Sequence, residues 1–553
     1  MPARNAGTKV VRGRKAASKS APPTTKAPVR KKGKKPASAS PAGNGQPVRA
    51  AAAADACERQ RLVQKGGGVV DVHSEKAGSC HVYKRSGSVY QCTLHQTNIS
   101  QNNNKFYIIQ VLEEDSGGCY HVFTRWGRVG LVGMNKLVTL NDADAAVRAF
   151  CGHFSRKTSN EWERRAGFVK RAGKYHLMDI DYGVREDSES GKGSARRKRK
   201  AEPKCKLPAK LKQLMELIVC EDTMVGALRE FEIDTNRMPL GKISKGQVLQ
   251  AYSVLKEVEE CLGAHASKLE ELSSRFYTLI PHSFGAQRPP VIRTREMIKQ
   301  KLKMLEVLGE LEIAARCLDA PQGKDLHPLD SAYLSLNCEL RPLPGNSAVY
   351  KRVEEYLRNT HGGTHSSYTL QVKAIFTVRR DGEDELFEPY KKLGNRQLLW
   401  HGSRVTNFMG ILSQGLRIAP PEAPCTGYMF GKGIYFSSVG SKSANYCHPS
   451  SKDNTGLMLL CEVALGKSKE YERACYMETA QRGTTSTVGV GRVSNDPAGS
   501  EVVDDVLWPK GRLVESPHTR RDLLYPEYIV YKTEQCAIRY LVQVEFIYNR
   551  GGW

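Results

Sequence analysis

No two of the fifteen cysteines are spaced as CxxC, and no Cys/His cluster stands at zinc spacing. That argues against a disulfide scaffold and against a metal centre legible in the sequence, so reduced thiols in an intracellular protein and no bound metal are expected. Long apolar runs are missing too. Leu457-Met458-Leu459-Leu460 is among the most hydrophobic stretches, and it falls far short of the roughly 20 residues that span a bilayer. With no secretory signal at its start, the protein is expected to be soluble, with no membrane partner. Acids are absent from residues 1 to 54, which carry thirteen Lys or Arg and so supply half of the net charge of +26.

That first segment is rich in Ala, Pro, Lys and Ser, so it cannot bury enough apolar surface to offset the entropy of ordering it. Residues 1–78 are expected to form a disordered basic tail. A cationic arm releases counterions when it meets a polyanion, which makes DNA or RNA its natural partner, against the plainer role of a solubilising tail. The run Arg196-Arg197-Lys198-Arg199-Lys200 lies in a polar segment, 185–205, of linker composition. Two basic tracts together point to the nucleus.

At 553 residues the chain is long enough for more than one hydrophobic core. Residues 79–184 read as a small α/β domain, with a hairpin built from Phe106–Leu112 and Cys119–Thr124 around Glu113–Gly118, and a helix over Asp142–Phe154. Residues 206–323 carry helical periodicity, as in Leu211, Leu214, Leu217 and Ile218, punctuated at Pro239, Pro281 and Pro289-Pro290. From 324 to 553 the chain reads as mainly β, with Val542, Val544 and Phe546 alternating with Gln543 and Glu545 as in a half-buried strand. The expected fold class is therefore multidomain α+β, with an all-α bundle between two sheet-containing domains.

Three segments of the last domain stand out: Leu398-Leu399-Trp400-His401-Gly402-Ser403, Gly431-Lys432-Gly433-Ile434-Tyr435-Phe436-Ser437 and Tyr525-Pro526-Glu527-Tyr528-Ile529-Val530-Tyr531. Each alone has an ordinary explanation: a satisfied core histidine, a packed strand aromatic, a charge on a solvated face. The glycines are not a Walker A loop, because Lys432 precedes Gly433 where Ser or Thr is required. Together the segments resemble the His-Tyr-Glu triad of the diphtheria-toxin-like ADP-ribosyltransferases, and specifically the poly(ADP-ribose) polymerase family. The similarity continues through Asn407-Phe408, Gly415 to Pro424, Gly427 to Phe436 and Ser441 to Cys447.

The resemblance implies a mainly-β ADP-ribosyltransferase domain that consumes NAD+ as substrate, with Glu527, His401 and Tyr435 catalytic. His401 would hydrogen-bond a ribose hydroxyl, Gly402 and Ser443 would grip the nicotinamide carboxamide, and Tyr435 and Tyr446 would sandwich its ring. Asn407 and Arg417 would meet the adenosine half with Ser403 close by, and Lys442 would stand beside the active centre. As nicotinamide leaves, positive charge develops on the ribose, and a fixed carboxylate stabilises that transition state more than the ground state. The pattern departs at Pro526, which lacks the N–H of the donor-bearing residue the family often has there; this bears on acceptor handling.

Residues 206–323 resemble the regulatory domain of that family, through Met238 to Lys245 and Phe276 to Gly285. Residues 79–184 resemble the WGR module, through Thr124-Arg125-Trp126-Gly127-Arg128-Val129-Gly130 and Asn102-Asn103-Asn104-Lys105. The likeness implies Asn104 and Trp126 as DNA-end contacts and Arg128 as a link from DNA to the bundle. The resulting expectation is a polymerase activated by DNA ends or nicks that modifies itself, histones and other chromatin proteins, with room for an accessory factor that completes the acceptor site. Two rivals use the same residues: a mono-ADP-ribosyltransferase, and a DNA-end scaffold without catalysis.

Overall fold

The computed structural model describes residues 64–65, 68–181, 203–233, 242–263, 266–319, 326–449, 453–517 and 520–549. The run Arg196–Lys200 and the tail before residue 64 lie outside the described residues.

The first domain is an antiparallel meander of β1 (Gln91–Asn98), β2 (Asn103–Glu114), β3 (Tyr120–Arg128) and β4 (Met134–Leu140), followed by α1 (Ala143–Thr158). The hairpin expected from the sequence is β2–β3, with Val111 opposite Val122 and Glu113 opposite Tyr120. Asp142 caps α1 by accepting from the amides of Asp144 and Ala145. Ala146, Phe150 and Phe154, four residues apart, then face the sheet and pack on Trp162. The domain begins earlier than residue 79. Val70 and Asp71 are each 1% exposed, and the Asp71 carboxylate meets Arg125 Nε at 2.7 Å in the interior. Composition hides this edge, because a short apolar run, Val69-Val70-Asp71-Val72, follows a glycine-rich stretch.

The helical segment comprises α2 (Ala209–Ile218), α3 (Glu221–Glu230), α4 (Lys245–Glu260), α5 (Ala266–Leu279) and α6 (Arg295–Asp319). Pro281 and Pro289-Pro290 fall between α5 and α6, where no helical amide is needed. Two features cross the expected boundaries. Ile180–Asp181 pairs antiparallel with Lys242–Ile243, tying the first domain to the bundle by backbone. Leu211, Leu214, Met215 and Ile218 of α2, with Ala314 of α6, share a core with strands of the last domain.

Among its described residues the last domain holds two main sheets and a separate two-stranded pair, Val493–Asn495 with Leu513–Glu515. In the larger, β5 (Cys338–Pro342), β6 (Tyr368–Arg380), β7 (Arg396–Ser403), β8 (Thr455–Ala464), β9 (Glu501–Val503), β10 (Val506–Trp508) and β11 (Cys536–Tyr548) run in the order β5-β6-β11-β8-β7-β10-β9. Leu457 to Leu460 of the central β8 are all buried, which explains the unbroken apolar run there. On β11, Val542, Val544 and Phe546 point inward, as their alternation predicts. The smaller sheet joins Ile434–Phe436, Glu527–Val530, Ser486–Gly489 and Ser468–Tyr471 in that order.

Candidate active site

Three strand ends meet where the two sheets touch. Trp400 of β7 exchanges both backbone hydrogen bonds with Ser437, at 2.8 and 3.0 Å. Strand Ile434–Phe436 in turn pairs with Glu527–Val530, Tyr435 opposite Ile529. His401, Tyr435 and Glu527, remote in sequence, thereby line one cleft of about 490 Å³, together with Gly402, Ser403, Asn407, Lys442, Ser443 and Tyr446.

Each side chain is held. His401 Nδ1 donates to the Tyr435 carbonyl at 2.9 Å; a carbonyl can only accept, so the neutral ring leaves Nε2 as an acceptor. Burial lowers the His401 pKa, which favours that neutral form. The Tyr435 hydroxyl donates to Gly431 O at 2.6 Å and accepts the Phe430 amide at 3.0 Å, so what this side chain offers a ligand is its ring face. Ser443 Oγ donates to the Trp400 carbonyl at 3.1 Å, leaving its lone pairs to accept. A Cβ on Gly402 would lie 1.9 Å from the Ser443 carbonyl oxygen, so only glycine fits. Lys442 Nζ stands 2.9 Å from Glu527 Oε1 and 2.8 Å from the Tyr525 carbonyl. Burial pulls the lysine's pKa down while the carboxylate pushes it up. Tyr446 as a residue is 52% exposed.

Comparison with known proteins gives three matches along the chain. Residues 347–546 match the poly(ADP-ribose) polymerase catalytic domain, 205–333 its regulatory domain and 90–169 the WGR domain. Poly [ADP-ribose] polymerase 2 of Homo sapiens is 42% identical over 494 residues, covering 88% of this chain and 84% of that protein. Its namesake from Zea mays is 44% identical over 495 residues, 88% of this chain and 75% of that one. The chain belongs to the poly(ADP-ribose) polymerase family. It spans only 49% of the longer poly [ADP-ribose] polymerase 1 of Gallus gallus, to which it is 41% identical over 500 residues. Membership makes it an NAD+ ADP-ribosyltransferase, and the WGR and catalytic domains together are those of a DNA-dependent poly(ADP-ribose) polymerase.

The remaining residues expected to bind NAD+ divide. Asn407 donates to Ser403 Oγ at 3.0 Å inside the cleft. Arg417 is absent from the lining and is instead paired with Glu310 of α6. Helix α6 walls the cleft with Lys299, Leu302, Lys303, Glu306 and Val307. Four acids of the polymerase's bundle grip this side of the catalytic domain: Glu230 binds Arg404 at 2.8 Å, Glu259 the Cys425 amide at 2.6 Å, Glu306 the Tyr428 hydroxyl at 3.3 Å, and Glu310 Arg417. None was legible in the sequence, because an acid on a helix reads as a solvated face until its partner is known.

The DNA candidates of the WGR domain also divide. Trp126 is half-buried and stacks on Tyr107 with ring centroids 5.8 Å apart. Arg128 donates to the carbonyls of Asn102 at 2.7 Å and Gln287 at 2.6 Å, and to that of Gly285, bridging the WGR domain to the bundle. Asn104, expected at the DNA, is 1% exposed and lies between domains. Its amide donates to the His282 carbonyl at 2.8 Å, while its oxygen accepts from Thr97 and faces His95 Nε2 at 3.2 Å. Its polar atoms are thus engaged within the protein. From His282 the chain of contacts reaches α6, since Lys301 Nζ lies 2.9 Å from His282 Nε2.

Proposed function

We propose that this chain breaks the bond between nicotinamide and ribose of NAD+ at the cleft of His401, Tyr435 and Glu527, and does so when a DNA end or nick engages its WGR domain. The supporting observation is the convergence of these three residues, with Gly402, Ser443, Lys442 and Tyr446, on a cleft one wall of which is regulatory helix α6. Glu527, braced by Lys442, presents fixed negative charge to the ribose as it becomes electron-deficient. His401 Nε2 accepts a ribose hydroxyl, and Ser443 Oγ accepts from the carboxamide. The faces of Tyr435 and Tyr446 stack on the departing ring.

Gating follows from the same wall. With Arg417 bound to Glu310 and α6 against the cleft, the adenosine half of NAD+ meets an occupied surface. Arg128 ties the WGR domain to the segment ahead of that helix, and the His95–Asn104–His282–Lys301 contacts reach the helix itself. Acceptors are chromatin proteins and the chain itself, and the site of action is the nucleus.

Incubation with labelled NAD+, with and without a 5′-phosphorylated nicked duplex, tests both parts. Label should pass to protein as a broad ladder only when DNA is present. Transfer indifferent to DNA refutes the gate, a sharp single-unit shift refutes chain elongation, and no transfer at all refutes the catalytic assignment.

A further inference from the structure

We propose that the WGR domain holds a structural zinc ion between Cys80, Cys119, His121 and Glu114. Strand geometry assembles the donors although their sequence spacing conceals them, and this revises the expectation of a metal-free chain. Strand Cys80–Val82 pairs with β2 so that Cys80 stands opposite Glu114. On the other side of β2, His121 of β3 stands opposite Leu112, two residues from Glu114 and therefore on the same face. Cys119 precedes His121 by two residues.

The Cys80 sulfur, a Glu114 carboxylate oxygen and a His121 ring nitrogen lie within 4.8 Å of one another. His121 Nε2 is 3.1 Å from Glu114 Oε1 and 3.9 Å from Cys119 Sγ. A tetrahedral zinc ion with ligands at about 2.0 to 2.3 Å keeps its donors about 3.3 to 3.8 Å apart. Two of the contacts are thus close to the spacing an ion imposes. Cys119 Sγ, already 3.9 Å from His121 Nε2, would complete the set as the fourth donor.

The surroundings are those of a built site. Cys80 and His121 are 1% and 2% exposed, and Cys80 belongs to a small core with Val70, Val82, Leu112 and Phe123. His121 Nδ1 lies 3.0 Å from Thr139 Oγ1; donation to that hydroxyl turns the Nε2 lone pair toward the cluster, as an outer partner does for metal-bound histidine. Thiolates, imidazole and one carboxylate form a donor set suited to zinc and not to magnesium or calcium. Lys76, 27% exposed and 3.3 Å from Glu114 Oε1, is the counterion the dication displaces into solvent. Binding releases the two thiol protons to solvent. The ion would pin the segment from Val70 to Val82 to the sheet that carries Trp126 and Arg128.

The test is metal content of the full-length chain, loaded with zinc, dialysed and measured by plasma mass spectrometry, alongside the absorption spectrum after loading with cobalt. About one zinc per chain should be retained, with a thiolate-to-cobalt charge-transfer band. Retention should fall at least about tenfold in the Cys80→Ser, His121→Asn double variant. It should persist in Cys205→Ser, which removes a thiol from the separate group of Cys205, His327 and Asp330. A wild-type chain that keeps no zinc, or a cobalt spectrum without the thiolate band, overturns the proposal whether or not the double variant folds. So does zinc that is lost from Cys205→Ser, or a Cys80–Cys119 disulfide in the metal-free protein.

Discussion

Glu527 is 14% exposed in its side chain and has Lys442 Nζ at 2.9 Å, so its charge is anchored in one direction before substrate arrives. Two unit charges about 4 Å apart interact by roughly 4 kcal/mol at an effective dielectric of 20. At about 1.36 kcal/mol per tenfold in rate, Glu527→Gln should slow nicotinamide release by up to about a thousandfold. The dissociation constant of a nicotinamide analogue should change little, because the carboxylate acts on charge that only the transition state carries. A parent-like rate in that variant would remove Glu527 from the mechanism. Gly402 is constrained by shape instead. The Cβ of Gly402→Ala would strike the Ser443 carbonyl at 1.9 Å, so that variant should raise KM for NAD+ at least about tenfold, and an unchanged KM would show that the strand can yield.

Helix α6 is the element on which the proposed control depends. Its ion pair with Arg417 is partly solvated, and such pairs contribute about 1 kcal/mol or less. Glu310→Gln should therefore raise DNA-independent turnover by up to about fivefold while leaving the DNA-stimulated maximum near that of the parent. Equal basal rates in the two proteins would count against the pair as a latch.

The strand and helix that meet at His95 carry a pH dependence. Burial lowers the His95 pKa from 6.5 to about 4, against the raising influence of the Thr278 carbonyl and Asn104. The unfolded chain takes up this proton from pH 6.5 downward, and the folded one does so only near 4. Stability is therefore fully present above 6.5 and is lost as the pH falls through the interval to 4, by on the order of 3 kcal/mol. Urea midpoints between pH 7 and 5 should fall more steeply in the parent than in His95→Gln, and parallel curves would contradict the assignment.

Across the whole molecule, WGR domain and bundle meet through Arg128, Asn104 and the approach of Gly130 to Ser283, where a Cβ would lie 2.0 Å from Ser283 Oγ. Arg128→Ala removes the bridge to Gly285 and Gln287. It should cut stimulation by nicked DNA about tenfold or more at saturating DNA, with basal turnover unchanged; full stimulation at saturation would assign Arg128 to DNA affinity alone. The triad and the order of domains were legible because local motifs and periodicity carry them. The contacts of Arg417 with Glu310 and of Asn104 with His282 are not legible locally, since each partner lies on another domain. The first domain's edge at Val70 and the core shared by α2 and Ala314 are not legible in the sequence for a related reason: burial there is decided by tertiary contacts and not by the composition of the segment itself.

Ile298, Leu302, Met304 and Leu305 of α6 sit in the bundle core, while Ala314 of the same helix lies in the core beneath the catalytic sheet. One rod thus belongs to two cores at once. Because the same helix lines the cleft, any widening of it on this side breaks packing in at least one of the two cores, which couples entry of substrate to the integrity of both.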